Sequence, residues 1–134
     1  MTFNFSEFKN KKIIGTGSST GIGFETGVEF LNLGANVIFH GNQSINDLEA
    51  RIKTKSQSKN FKLFKSDFTD LSQVDNFMND AINYLDGLDI LVNNAGTMVG
   101  RYQLDTISEK DFLKIFDLNA KSAYFATKSA CTIF

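Results

Sequence analysis

The stretch Thr16-Gly17-Ser18-Ser19-Thr20-Gly21-Ile22-Gly23 decides how this chain reads, because it directly follows a β-like run, Lys12 to Thr16, and opens a helical pattern. Glycines allow a tight turn with positive φ. Lacking a Cβ, they also let backbone N–H groups approach a pyrophosphate at the positive end of a helix. In that arrangement Gly17 makes the turn, Gly21 the close approach and Gly23 the helix-to-sheet contact. The hydroxyls of Ser18, Ser19 and Thr20 then stand as further donors to phosphate or ribose. The plainer alternative is a Ser/Gly-rich loop that only caps a helix.

Working outward, three more β-like runs alternate with helical patterns: Ala35 to His40, Phe61 to Lys65 and Leu88 to Asn93. Such alternation implies a parallel sheet. Between the first two runs Ile22, Val28, Phe30, Leu31 and Leu33 recur at helical spacing, and Gly34 stands where a C-cap glycine belongs. The second pattern, Asn46 to Lys55, is charged and carries only Leu48 and Ile52 as a narrow apolar stripe, which predicts an outer face. The third, Leu71 to Leu85, places Val74, Phe77, Met78, Ile82 and Leu85 on one side, with Asp70 or Ser72 as cap and Gly87 as exit. Ser108 to Asp111 has the form of a capping box with the shorter Asp in place of Glu. It opens a pattern through Phe112, Ile115, Phe116 and Phe125, so the last 27 residues read as helical. No repeat, low-complexity tract or linker divides the chain, and residues 1–134 read as a single domain.

The composition agrees with one globular domain. The chain has 134 residues, 42% of them hydrophobic and 22% charged, with no Pro or Trp. Fourteen basic against 15 acidic residues give a net charge of −1, which leaves no excess to draw the chain onto nucleic acid or an anionic membrane. No stretch approaches the ~20 apolar residues of a membrane helix, and the opening residues lack the apolar core of a secretory signal. The lone Cys131 cannot close an intramolecular disulfide; it reads as a buried, inert thiol in a cytoplasmic protein.

A second motif, Asn93-Asn94-Ala95-Gly96, closes the fourth run on a small-residue turn, at a strand carboxyl end where open α/β sheets bind ligands. Together the two motifs resemble the classical short-chain dehydrogenase/reductase family, whose T-G-x-x-x-G-I-G and N-N-A-G patterns stand here intact and in order. The resemblance implies an α/β, Rossmann-like doubly wound parallel sheet, truncated after about four strands, since the whole chain aligns with only the amino-terminal half of a family member. It further implies that Gly17, Gly21, Ile22 and Gly23 hold the cofactor pyrophosphate. Asp67, with Phe68 beside it, matches the family acid that hydrogen-bonds the adenine amino group. Asn94, Ala95 and Gly96 line the adenosine side of the cleft, and Asn93 with Thr16 ties two strand ends. Asn119 matches the catalytic Asn at a helix kink that holds a proton-relay water. Without the family, Asp67 reads as a capping or solvated acid, and Asn119 as a solvated or backbone-bonded residue.

Cofactor choice rests on the end of the second strand, where a carboxylate favours NAD and repels the phosphate of NADP. Gly41 occupies the position of the family's NAD-selecting Asp, Asn42 the position where NADP-preferring relatives carry Arg, and Thr20 that of a basic residue before the second glycine. Lacking repulsion, the site leans to NADP over NAD, with Asn42, Ser18 and His40 as candidate phosphate contacts; the plainer reading of His40 is a surface residue at a strand end.

In the family a Ser, a Tyr and a Lys complete the chemistry downstream of the matched Asn, beyond Phe134. Tyr124 and Lys128 have the Y-x-x-x-K spacing but follow Asn119 by only a few residues. They lie within the helix before the catalytic Ser strand, so Tyr124 and Phe125 read as packing or subunit-interface residues. A further departure is Gly15, where the first strand usually has an apolar residue. The expectation is thus the cofactor-binding amino-terminal part of an NAD(P)-dependent oxidoreductase acting on a small alcohol or carbonyl substrate, homo-oligomeric if a full-length chain exists. The alternatives are a non-catalytic dinucleotide-binding protein and an inactive truncated product.

Overall fold

A computed structural model describes residues 4–43, 45–98 and 100–134. Four parallel strands, β1 (Lys12–Gly15), β2 (Asn36–Gly41), β3 (Phe61–Lys65) and β4 (Ile90–Val92), form one sheet in the order β3-β2-β1-β4. The first two crossovers carry the chain outward on one side of β1. The third returns it to the other side, so the strand order reverses between β1 and β4 and leaves a crevice at their carboxyl ends.

Among the described residues five α-helices accompany the strands: α1 (Gly21–Asn32), α2 (Leu48–Lys55), α3 (Leu71–Leu85), α4 (Glu109–Phe116) and α5 (Ser122–Cys131). Successive strand side chains point to opposite faces, which divides the apolar residues between two cores. Ile13, Val37 and Phe39 pack with Phe24, Val28 and Leu31 of α1 and with Leu48 and Ile52 of α2. Ile14 and Ile38 face the other way, into Val74, Phe77, Met78 and Ala81 of α3 and Ala126 and Ala130 of α5. Ser122, Ala126 and Ala130 are four apart and buried, and such small side chains let α5 lie close against α3. At Gly27 of α1 the opposite neighbour is large: an added Cβ would stand 2.5 Å from the Phe39 ring.

Local signals hold where a specific group is needed. Gly34 has φ +88 directly after the α1 C-cap. Asp70 caps α3 by accepting from the Ser72 N–H. Ser108 caps α4 by accepting from the Asp111 N–H at 3.1 Å, and the short Asp111 side chain meets the Ser108 hydroxyl rather than its backbone.

Two expectations, the single closing helix and the buried Cys131, are corrected. The final helical stretch is three segments, because a π-helical turn, Asp117–Lys121, separates α4 from α5. The Phe112 and Phe116 side chains of α4 are half exposed, and α4 buries none of its residues. Cys131 is exposed, since it sits beside the buried 122/126/130 stripe rather than on it. Among the described residues no helix is long and apolar enough to cross a membrane, and no cluster of His, Cys, Asp and Glu could hold a metal ion.

Candidate dinucleotide site

The crevice at the β1/β4 switch point is bordered by the glycine loop, the end of β2 and the turn after β4. Thr16, fully buried at the end of β1, holds that turn in place. Its hydroxyl donates to the Val92 carbonyl at 3.3 Å and accepts from the N–H groups of Asn94 (3.1 Å) and Ala95 (3.0 Å), which uses one donor and two lone pairs. The Asn94 amide donates across the gap to the Gly17 carbonyl at 2.9 Å. The side chains that join the two strand ends to one another are therefore Thr16, as expected, and Asn94. Asn93, expected in that role, points out of the strand and donates to Thr127 of α5 at 2.8 Å.

The glycines divide the labour. A Cβ on Gly17, at φ +60, would fall 2.6 Å from the Ala95 Cα, and one on Gly23 would fall 2.6 Å from the Gly17 carbonyl oxygen. Packing within the protein therefore demands both. Gly21, at φ +59, has nothing within 4 Å of where its Cβ would be, so its open side faces the crevice. Thr20 precedes α1 without a side-chain cap, which leaves the first-turn N–H groups of Gly21, Ile22 and Gly23 without an intrahelical partner, and Gly21 and Ile22 border that open volume. Ile22 is 81% exposed beside it.

Two expectations change here. Ser18 is buried, and its hydroxyl donates to the Gly15 carbonyl at 2.7 Å and accepts from the His40 N–H at 2.9 Å, so it is no phosphate donor. Ser19, Thr20 and Asn42 do border the crevice. His40, expected at the surface, is 2% exposed behind the glycine loop. Its Nδ1 accepts from the Gly17 N–H at 2.9 Å, and its Nε2 lies 3.0 Å from the Ser66 carbonyl, an arrangement that requires the neutral Nε2–H tautomer. Its ring stacks on Phe68 at 4.1 Å, and burial lowers its pKa from 6.5 to about 4.

Phe68 borders the crevice, whereas the neighbouring Asp67 commits Oδ1 to the Thr69 hydroxyl and N–H. Asn94, Ala95 and Gly96 form the opposite rim. Asn119 lies in the π-helical turn and donates from Nδ2 to the carbonyls of Thr97 (2.8 Å) and Ile115 (2.9 Å), while Oδ1 faces Gly96 so closely that no Cβ fits there. Tyr124 is 67% exposed on α5 in an apolar groove with Ala123, Thr127 and Cys131, and it does not border the crevice. Arg51 of α2 does border it, a residue the motif reading passed over because an i,i+4 pair with Asp47 looks like a solvated helix face.

The sequence profile of short chain dehydrogenases matches residues 11–134. This chain belongs to the short chain dehydrogenase family. It is 31% identical over 116 residues to the short chain dehydrogenase/reductase AacuN of Aspergillus aculeatus, covering 86% of this chain and 44% of that protein. Among solved structures it resembles the NADH-dependent reductase A1-R′ complexed with NAD, with TM-score 0.87 and 30% identity over 97% of this chain and 54% of that one. It also resembles a short chain dehydrogenase of Burkholderia cenocepacia in complex with NADP, with TM-score 0.85 and 25% identity over 95% and 52% of the two chains. The chain spans less than half the length of this curated relative and about half of these solved chains.

Proposed function

We propose that this short chain dehydrogenase chain is the dinucleotide-binding part of an oxidoreductase that interconverts an alcohol and a carbonyl, using NADP in preference to NAD. One observation carries the reading: the uncapped start of α1, with Gly21 open to the crevice, lies at the switch point of the sheet. The residues fit a diphosphate. Oriented N–H groups and the helix dipole favour an anion there, and nothing of the protein fills the space a Cβ on Gly21 would enter. When bound, the nicotinamide group supplies or accepts the hydride.

The chain's own residues bind and orient. Gly21, Ile22 and Gly23 take the diphosphate through backbone N–H groups, with Ser19 and Thr20 beside them. Asp67 and Phe68 take the adenine, and Asn94, Ala95 and Gly96 close the opposite wall. Asn119, with both amide protons given to backbone carbonyls, keeps Oδ1 directed at Gly96, where it would hold a water near the reacting end. Neither Gly41 nor Asn42 places a carboxylate at the end of β2, which supports NADP over NAD. The exposed aromatic side chains Phe112, Phe116 and Tyr124 suit a second copy of the chain, and the single cysteine suits the cytoplasm.

The test is a titration of NADPH and NADH into the purified protein, followed by reduced-nicotinamide fluorescence and calorimetry. Saturable binding is expected, and Gly21→Asp should abolish it by placing a carboxylate against the diphosphate. Unchanged affinity in that variant would overturn the assignment of the loop.

A further inference from the structure

Resting on the dinucleotide reading above, we infer that Arg51 of α2 is the residue that selects the 2′-phosphate of NADP. It does so from a helix rather than from the glycine loop or the end of β2. Among the described residues that line the crevice it is the one formal charge; Asp67, the proposed adenine partner, stands outside that lining, and the one imidazole, His40, is held neutral. Its position is the one such selection needs. Arg51 Nη1 donates to the Ser19 carbonyl at 2.8 Å. Ser19 in turn packs against Gly41 so closely that a Cβ there would lie 2.8 Å from its hydroxyl. Ser19, Gly41 and Arg51 are thus contiguous at the end of β2, where an acidic residue would otherwise meet the ribose hydroxyls.

The guanidinium is also held in place. Its Cζ lies 5.1 Å from the Phe24 ring centroid, and Nε donates to the Asp47 carboxylate at 3.1 Å. Three different elements, the glycine loop, α1 and the turn before α2, therefore fix one side chain that remains about one third exposed. A guanidinium has five N–H donors in a fixed fork; the contacts to Ser19 and Asp47 engage two of them. A pre-oriented fork suits the planar, two-point recognition of a phosphate, which a lysine at this position would not reproduce. Asp47 tempers the charge without cancelling it, since it is itself largely exposed to water.

The experiment compares NADPH with NADH, and adenosine 2′,5′-bisphosphate with adenosine 5′-monophosphate, by calorimetry on the wild-type protein, Arg51→Gln, Arg51→Lys and Asp47→Asn. Arg51→Gln should weaken NADPH and the bisphosphate by roughly 10- to 100-fold and leave NADH and the monophosphate within about twofold. Arg51→Lys should fall between, and Asp47→Asn should strengthen NADPH alone. The NADPH advantage of the wild-type protein should shrink as salt rises from low to physiological strength, and Arg51→Gln should remove that dependence. An equal loss for all four nucleotides in Arg51→Gln would show that Arg51 merely props the loop through Ser19, and would overturn the inference while sparing the dinucleotide reading. Failure of the wild-type protein to bind any of the four would overturn both.

Discussion

His40 is the one histidine of the chain, and its burial against the glycine loop makes stability depend on pH with a defined sign. Native His40 resists the proton until about pH 4, because burial penalises the charged ring and Nδ1 is already accepting from Gly17. The unfolded chain takes the proton up at the ordinary 6.5. Between those values the unfolded state binds more protons, so stability is fully present above pH 6.5, is lost as pH falls, and stops falling below pH 4. At 1.36 kcal/mol per pH unit the complete loss is about 3 kcal/mol, of which about 2 kcal/mol has gone by pH 5. Against a total stability of roughly 5–15 kcal/mol for a domain, that is a large fraction. The carboxylates with lowered pKa, Glu49 and Asp70, start from 4.5 and 3.8 and act below most of this window. The assay is urea unfolding from pH 7 to pH 4.5 for the wild-type protein and His40→Gln, whose side chain can accept from Gly17 and donate to Ser66 without titrating. The wild-type curve should fall more steeply by about 2 kcal/mol at pH 5. A 15N titration of the single imidazole should show the neutral Nε2–H tautomer with a midpoint near pH 4. A midpoint near 6.5 together with parallel stability curves would refute the buried-latch reasoning.

Thr16→Val keeps the shape but strands the N–H groups of Asn94 and Ala95. It should cost about 2 kcal/mol in denaturant unfolding and loosen the crevice enough to weaken dinucleotide binding. Gly15→Ala should raise Tm by about 2–4 °C, because a Cβ there would meet Ser18 at an ordinary 3.5 Å and a strand glycine is conformationally costly; a lower Tm would show that β1 cannot accept the methyl. Gly41→Asp should move preference toward NADH by about tenfold or more in paired titrations, with Ser19 giving way to the new side chain; an unchanged ratio would show that β2 does not end at the ribose. Tyr124→Phe should leave dinucleotide affinity unchanged and stability within about 0.5 kcal/mol, as its side chain is exposed and away from the crevice.

Much of this protein is carried by local signals that need no partner. The continuous apolar runs Ile13-Ile14 and Val37-Ile38-Phe39 dictate strands buried on both faces, and helical spacing from Val74 to Leu85 dictates α3. The glycine loop is legible because positive φ at Gly17 and Gly21 restricts which residues can stand there. Contacts between residues far apart in sequence leave no such trace. Asn94 reaches Gly17 across 77 positions and Thr16 reaches Ala95 across 79, so sequence alone could not say which of two adjacent asparagines joins the strand ends. His40 looked like an exposed polar residue, and Ser18 like a free hydroxyl, because sequence shows no cavity. Only the packing of β2 behind the loop turns both inward, where burial forces each polar atom to find a partner. Arg51 reads as half of an i,i+4 pair on a charged helix, and its place beside Ser19 exists only because α2 folds back over the end of β2. The sequence by itself determined the strands, the first three helices, the glycine turn and the family, since each depends on neighbours a few residues apart. The tertiary structure decided which side chains face the crevice and which hold it together, since that depends on how distant strand ends meet.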